Sequence, residues 1–267
     1  MIVWIASYPR SGNTLTRTIL KRCFDAKTYS IYDEKRNENL VHTMGLEAFC
    51  AMARASPETY FVKTHELPSD NNDPEIFGED RTLYIARDGR AAMSSHKAYL
   101  EDISHQIFAL EAIVLGAPPI IGWSDHVMGW LDRPAEKQLV LRYEQLSAPP
   151  REVLEGIAAF IDRPVLRDFD VNFADLHEKN PVYFRVGRNE PGIKEIERKC
   201  PAIFWTVNGQ AMDRLGYGSP RPETAPLPPA TLAELRRAVM HARNLALRGR
   251  PTGDGAEPQP EAAGAGG

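Results

Sequence analysis

The chain has 267 residues, 43% hydrophobic and 25% charged, with a formal net charge of −4. That is one domain's worth of ordinary globular composition, long enough for a sizeable core. The mild acidity argues against bulk attraction to nucleic acid or an anionic membrane, and no apolar run reaches the ~20 residues of a membrane span. No basic leader followed by a long apolar stretch opens the chain, so no signal peptide is expected. Cys23, Cys50 and Cys200 are widely spaced and odd in number, which fits neither a disulfide framework nor a zinc site. The expectation is a cytoplasmic protein.

The first element is Ile2–Ala6, a short apolar run rich in β-formers, as in a fully buried strand. A turn with Pro9 and Gly12 follows, and then a helix in which Leu15, Ile19 and Cys23 recur at i, i+4 and i+8. Residues 30–58 show no clear period. Continuous apolar runs at 60–63, 82–86 and 138–142 predict three more strands of a parallel sheet covered on both faces. Helical patterns lie at about 89–116, 124–132, 150–162, 201–215 and 230–248. The alternation predicts one α/β domain over 1–248, with a central parallel sheet flanked by helices on both faces. Residues 249–267 hold nine Gly or Pro and nothing large to bury, so they are expected to form a disordered tail.

Charge placement is more informative than net charge. From Met1 to Phe24 there is no acid, against Arg10, Arg17, Lys21 and Arg22. A phosphate loop aims successive N–H groups into one concavity at a helix N-terminus, where the helix dipole adds positive potential. Ser7-Tyr-Pro-Arg-Ser-Gly-Asn-Thr14 has that form. Against the nucleoside-triphosphate pattern G-x-x-x-x-G-K-[ST], Gly12 and Thr14 fit. Ser7 replaces the first Gly, Asn13 replaces the Lys, and the cation sits earlier, at Arg10. An ordinary helix start with an exposed Arg is the alternative from this stretch alone.

The octapeptide resembles the 5′-phosphosulfate loop of sulfotransferases that use 3′-phosphoadenosine 5′-phosphosulfate (PAPS), although Leu15 stands where that family carries an adenine-stacking Trp. Further matches follow in the family's order. Phe61-Val-Lys-Thr-His65 resembles its K-T-H segment. Arg87 and Ser95, eight residues apart, resemble its 3′-phosphate motif. Leu141-Arg-Tyr-Glu-Gln-Leu146 is similar to Y-E-D-L, which brings Tyr143 to the adenine, and Phe173-Ala-Asp-Leu176 is a looser match. Tyr183–Lys194 resembles the loop that closes over the 3′-phosphate, with Arg185 and Gly187 in place and Ile193 for the usual Trp.

The resemblance implies a nucleotide-kinase-like fold and sulfuryl transfer from PAPS, as co-substrate, to a hydroxyl or amine of a small-molecule acceptor, with no metal. It makes His65 the general base, helped by Lys63, Arg10 and Ser95. The donor site would comprise Arg10, Ser11, Gly12, Asn13, Thr14, Arg87, Ser95, Tyr143, Arg185 and Gly187. Imidazole suits its task because its unperturbed pKa of ~6.5 lets it accept a proton near neutral pH. A nucleotide-dependent kinase on the same scaffold and a non-catalytic binder of PAPS or its desulfated product (PAP) are the alternatives. Asp88 and Arg90 are expected to form an exposed pair. The stretch Ile107–Leu115, with Trp123 and Trp130, suits either an acceptor pocket or packed helix, and neither acceptor nor oligomeric state is legible.

Overall fold

The computed structural model describes residues 1–32, 40–68, 77, 78, 80–171, 173–179 and 189–248. Its centre is a five-stranded, all-parallel sheet of β1 (Ile2–Ser7), β2 (Thr28–Ser30), β3 (Tyr60–Thr64), β4 (Arg81–Ala86) and β5 (Gln138–Arg142), in the order β2-β3-β1-β4-β5. The helices among the described residues are α1 (Asn13–Phe24), α2 (Leu40–Met44), α3 (Leu46–Ala55), α4 (Gly89–Asp102), α5 (Leu110–Leu115), α6 (Trp123–Leu131), α7 (Tyr143–Leu146), α8 (Arg151–Ile161), α9 (Phe173–Lys179), α10 (Glu190–Lys199), α11 (Pro201–Arg214) and α12 (Pro229–Arg248).

The apolar strand residues alternate between two cores, since successive side chains of a strand leave opposite faces. Ile2, Trp4, Ala6, Val62 and Tyr84 point to one face, covered by α3, α4, α6 and α11 through Phe49, Met93, Trp123, Trp130 and Phe204. Val3, Ile5, Phe61, Leu83 and Ile85 point to the other, covered by α1 and α8 through Ile19, Leu20, Leu154 and Ile157. Both faces are covered along β1, β3 and β4, while the edge strands are more open, with Val140 of β5 39% exposed. That cover is why the central strands are continuous apolar runs rather than alternating ones.

From β1 the chain crosses to β2 at one edge, returns to β3 beside β1, and then places β4 and β5 on the other side. The register aligns Ala6 with Thr64, Ser7 with Ile85 and Ala86 with Arg142. The carboxyl ends of β1, β3, β4 and β5 therefore share one edge, beside the strand where the connections diverge. In open α/β sheets that crevice is where ligands bind.

Several elements differ from the sequence expectation. β2 is only three residues and pairs with β3 alone, too short to leave a periodic pattern. α2 and α3 occupy the stretch that lacked a clear period, and α9 and α10 are further helices that the pattern did not give. The expected helix over 89–116 is two helices, because the chain leaves α4 after Asp102 and resumes at Leu110. Trp123 and Trp130 are core residues, as are Leu110 and Ala112–Leu115 of α5, so the later part of that stretch is packed helix; Ile107, 82% exposed, and Ala109 precede it outside the helix. The expected tail lies outside the described residues. Among the described residues no helix is long and apolar enough to cross a membrane.

Candidate active site

The loop from β1 to α1 is built by two left-handed residues, Arg10 (φ 66°) and Gly12 (φ 110°). Glycine is required at the second of these. A Cβ there would also come 2.6 Å from Cδ2 of Tyr143, which packs against the loop. No side chain caps α1, and its first turn holds no acid. The helix thus opens with N–H groups that make no intrahelical bond and with the positive end of its dipole, a setting for an anion. Ser11 Oγ is buried without a hydrogen-bond partner, an orphaned donor that a phosphate oxygen at this loop would satisfy.

Asn13 does not face outward like the lysine it replaces. Its Nδ2 donates back to the Ile5 carbonyl (2.7 Å) and to Ser7 Oγ (3.3 Å), so the side chain ties α1 to β1. Thr14 is half-buried in the first turn, and its carbonyl accepts from Thr18 Oγ1. Leu15 is buried in the core between α1, α8 and the sheet, where it cannot stack on a base.

His65 follows β3 and meets the loop directly. Its Nδ1 lies 2.7 Å from the Ser7 carbonyl, which can only accept, so Nδ1 carries the proton and Nε2 of the neutral ring is the basic nitrogen. Burial, with the Lys63 charge adding to it, pulls the imidazole pKa down to about 3. Tyr32 fixes the residue further: its hydroxyl accepts from the His65 backbone N–H (2.8 Å), donates to Glu66 Oε1 (3.0 Å), and its ring stacks on the imidazole. Lys63 Nζ lies 5.3 Å from the centre of the same Tyr32 ring.

The end of β4 supplies Arg87, and α4 supplies Ser95 beside Arg10 of the loop. Arg87 is 7% exposed and donates through Nη1 to the Arg10 carbonyl (2.7 Å) and through Nε to Asn189 Oδ1 (2.8 Å). Its guanidinium lies over the Tyr143 ring, 4.2 Å from the centroid. Burial lowers its pKa, while Tyr143 and Glu144 act in the opposite sense. Arg10 Nε lies 3.5 Å from Ser95 Oγ, and its guanidinium lies over Tyr99. Arg10, Ser11, Gly12, Asn13, Thr14, Arg87, Ser95 and Tyr143 thus gather at the end of β1 and β4, with His65 and Lys63 joining from β3. Arg185 and Gly187 lie outside the described residues.

The Asp88–Arg90 pair is buried, contrary to expectation. Asp88 caps α4 by accepting from the Arg90 backbone N–H, and the Arg90 guanidinium bonds both Asp88 (2.7 Å) and Glu197 of α10 (2.7 Å). Neighbouring sequence positions made an exposed pair the default; α10 and Trp205 cover it. Two further histidines lie beside the loop. His96 Nδ1 is 3.1 Å from the Tyr8 hydroxyl and His126 Nδ1 is 3.1 Å from that of Tyr84, with burial holding their pKa values at about 4 and about 3. Tyr32, Asn189 and these histidines carry no local motif, since each acts through a partner at least 33 residues away.

The Sulfotransferase domain family model matches residues 2–179. The chain belongs to the sulfotransferase domain family. Sulfotransferase 1B1 of Mus musculus is 27% identical over 180 residues, 60% of this chain and 58% of that protein. Sulfotransferase 1 family member D1 of Rattus norvegicus is 24% identical over 178 residues, 61% of this chain and 59% of that one. The sulfotransferase chain therefore spans less than two-thirds of the length of these relatives. Mouse sulfotransferase SULT7A1, solved in complex with PAP, superimposes with a TM-score of 0.55 at 16% identity, covering 77% of this chain and 83% of that one, and shares the fold.

Proposed function

We propose that the protein transfers the sulfuryl group of PAPS to a hydroxyl or amine of a small-molecule acceptor, with His65 as general base. One observation carries this reading: the Nδ1–H bond from His65 to the Ser7 carbonyl leaves Nε2 as a neutral proton acceptor, beside an uncapped helix start with an orphaned Ser11 hydroxyl. The family shown by the sequence supports the donor class.

The loop N–H groups and Ser11 would hold the 5′-phosphosulfate, and Arg87, stacked on Tyr143, the 3′-phosphate. Arg185 and Gly187 are assigned to the same phosphate by resemblance. Gly12 and Thr14 belong to the loop; Asn13 serves by fixing it to β1. His65 Nε2 takes the acceptor's proton as the acceptor oxygen or nitrogen bonds to sulfur, while the bond from sulfur to the bridging oxygen breaks. Arg10 meets the charge appearing on that oxygen, and Lys63 adds charge at the sulfuryl group. Ser95, within reach of Arg10, would exchange between that cation and the 3′-phosphate. The products are the sulfated acceptor, PAP and a proton held on His65. We assign the reaction to the cytoplasm, where the three buried thiols would stay reduced.

The test is a screen of alcohols, phenols and amines with labelled PAPS, followed by His65→Ala on whichever acceptor is labelled. Turnover should fall at least ~10²-fold with donor affinity retained, the usual scale for a general base. Undiminished turnover would remove His65 from the role.

A further inference from the structure

Asn189 stands at the start of α10, the position where an asparagine ordinarily caps the helix, yet it makes no side-chain cap. Its amide is engaged on both sides instead. Oδ1 accepts from Arg87 Nε at 2.8 Å, and Nδ2 donates to Glu144 Oε1. The second oxygen of Glu144 accepts from the Tyr217 hydroxyl at 2.6 Å, and the Tyr217 ring lies under the Arg142 guanidinium. Three segments distant in sequence converge around the arginine at the end of β4: the start of α7, the start of α10 and the turn after α11.

The amide is held in register by the packing of α10 on α4. Gly192 approaches so closely that a Cβ would lie 2.9 Å from Ala91 Cα, while Glu195 accepts from Ser94 Oγ (2.7 Å) and Glu197 pairs with Arg90. With Nε tied to Asn189, Nη1 to the Arg10 carbonyl and Cζ held over the Tyr143 ring, the guanidinium has one orientation. Nη2 then has no hydrogen-bond partner among the described residues.

We propose that Asn189, oriented by Glu144 and Tyr217, is a positioning residue that sets the roll of Arg87 and so makes the site select a nucleotide carrying the additional 3′-phosphate. The inference rests on the reading of Arg87 given above. The residue has to be an amide. It must accept from a cation on one side and donate to a carboxylate on the other, and aspartate would supply only acceptors, turning one of them toward Glu144. It would also add a negative charge beside the phosphate site.

The experiment measures binding of PAP and of adenosine 5′-phosphate by calorimetry to the full chain, and takes the ratio of the two dissociation constants as the readout. A structural lesion would weaken both nucleotides together and leave the ratio in place. Asn189→Ala is expected to lower the preference for PAP about tenfold, the scale of losing one hydrogen bond to a charged group. Asn189→Asp is expected to lower it further at pH 7.5. In the double variant Asn189→Asp/Glu144→Gln, the new amide donates to the new carboxylate and recovers most of the difference. Arg87→Ala separates the two levels of the argument. If it leaves the ratio unchanged, Arg87 does not hold the 3′-phosphate and the underlying reading fails. If Arg87→Ala abolishes the preference while Asn189→Ala and Asn189→Asp keep it, the positioning role is overturned.

Discussion

Lowering the pH should leave His65 neutral long after an ordinary histidine has taken up its proton. An imidazole at the unperturbed pKa of ~6.5 is about 97% protonated at pH 5, whereas one held at about 3 is about 1% protonated. The two expectations differ in the fraction of active base by about thirtyfold at a single pH, enough to decide between them. The assay is a ring titration of histidine-labelled protein by NMR between pH 7.5 and 5, with the His65 signal assigned by its loss in His65→Gln. The signal should stay flat, and its nitrogen shifts should mark the proton on Nδ1, as the bond to the Ser7 carbonyl requires. The same burial has a consequence for stability. Because the folded pKa is depressed, the unfolded chain binds a proton that the native state refuses, so stability present above pH ~6.5 is lost as pH falls from there toward 3. Between pH 7 and 5 this amounts to about 2 kcal/mol for His65. His96 and His126, held at about 4 and about 3, act in the same sense. Urea unfolding of the wild type at the two pH values should show the loss, and His65→Gln should shed its share. A His65 resonance titrating between pH 6 and 7, with no change in the acid sensitivity of His65→Gln, would refute the argument for a half-buried neutral base.

Two other substitutions test the scaffold under the site. Gly12→Ala forces a side chain into a left-handed position and into the Tyr143 ring; it should cost about 1–3 kcal/mol in urea unfolding and weaken PAP binding in calorimetry. Wild-type values for both would show that the loop does not need this conformation. Asp88→Ala leaves the covered Arg90 guanidinium with Glu197 alone and uncaps α4; a loss of about 3–5 kcal/mol is expected, and one below about 1 kcal/mol would show that the pair is hydrated rather than buried.

The sequence alone determined the strand–loop–helix unit at the amino end, because every signal for it is local. Ile2–Ala6 is apolar throughout since both faces of β1 are covered, and Ser7–Thr14 carries its small residues and its arginine within eight positions. The strands at 60–64, 81–86 and 138–142 were legible from their apolar runs, and the resemblance of the segments at their carboxyl ends made His65, Arg87 and Tyr143 candidates. What lay beyond reach is what depends on approach between distant segments. Tyr32 reaches His65 because β2 lies beside β3, a pairing of three residues with no period of its own. The Asp88–Arg90 pair is dry because α10 packs on α4, which adjacency in sequence cannot reveal. Tertiary structure also decided what the side chains do where their identity was already plain. Asn13 faces β1, Leu15 fills the core, and His65 carries its proton on Nδ1 because the Ser7 carbonyl stands 2.7 Å away. A local pattern names the residue that can do chemistry; its protonation and aim come from neighbours that only the folded sheet brings together.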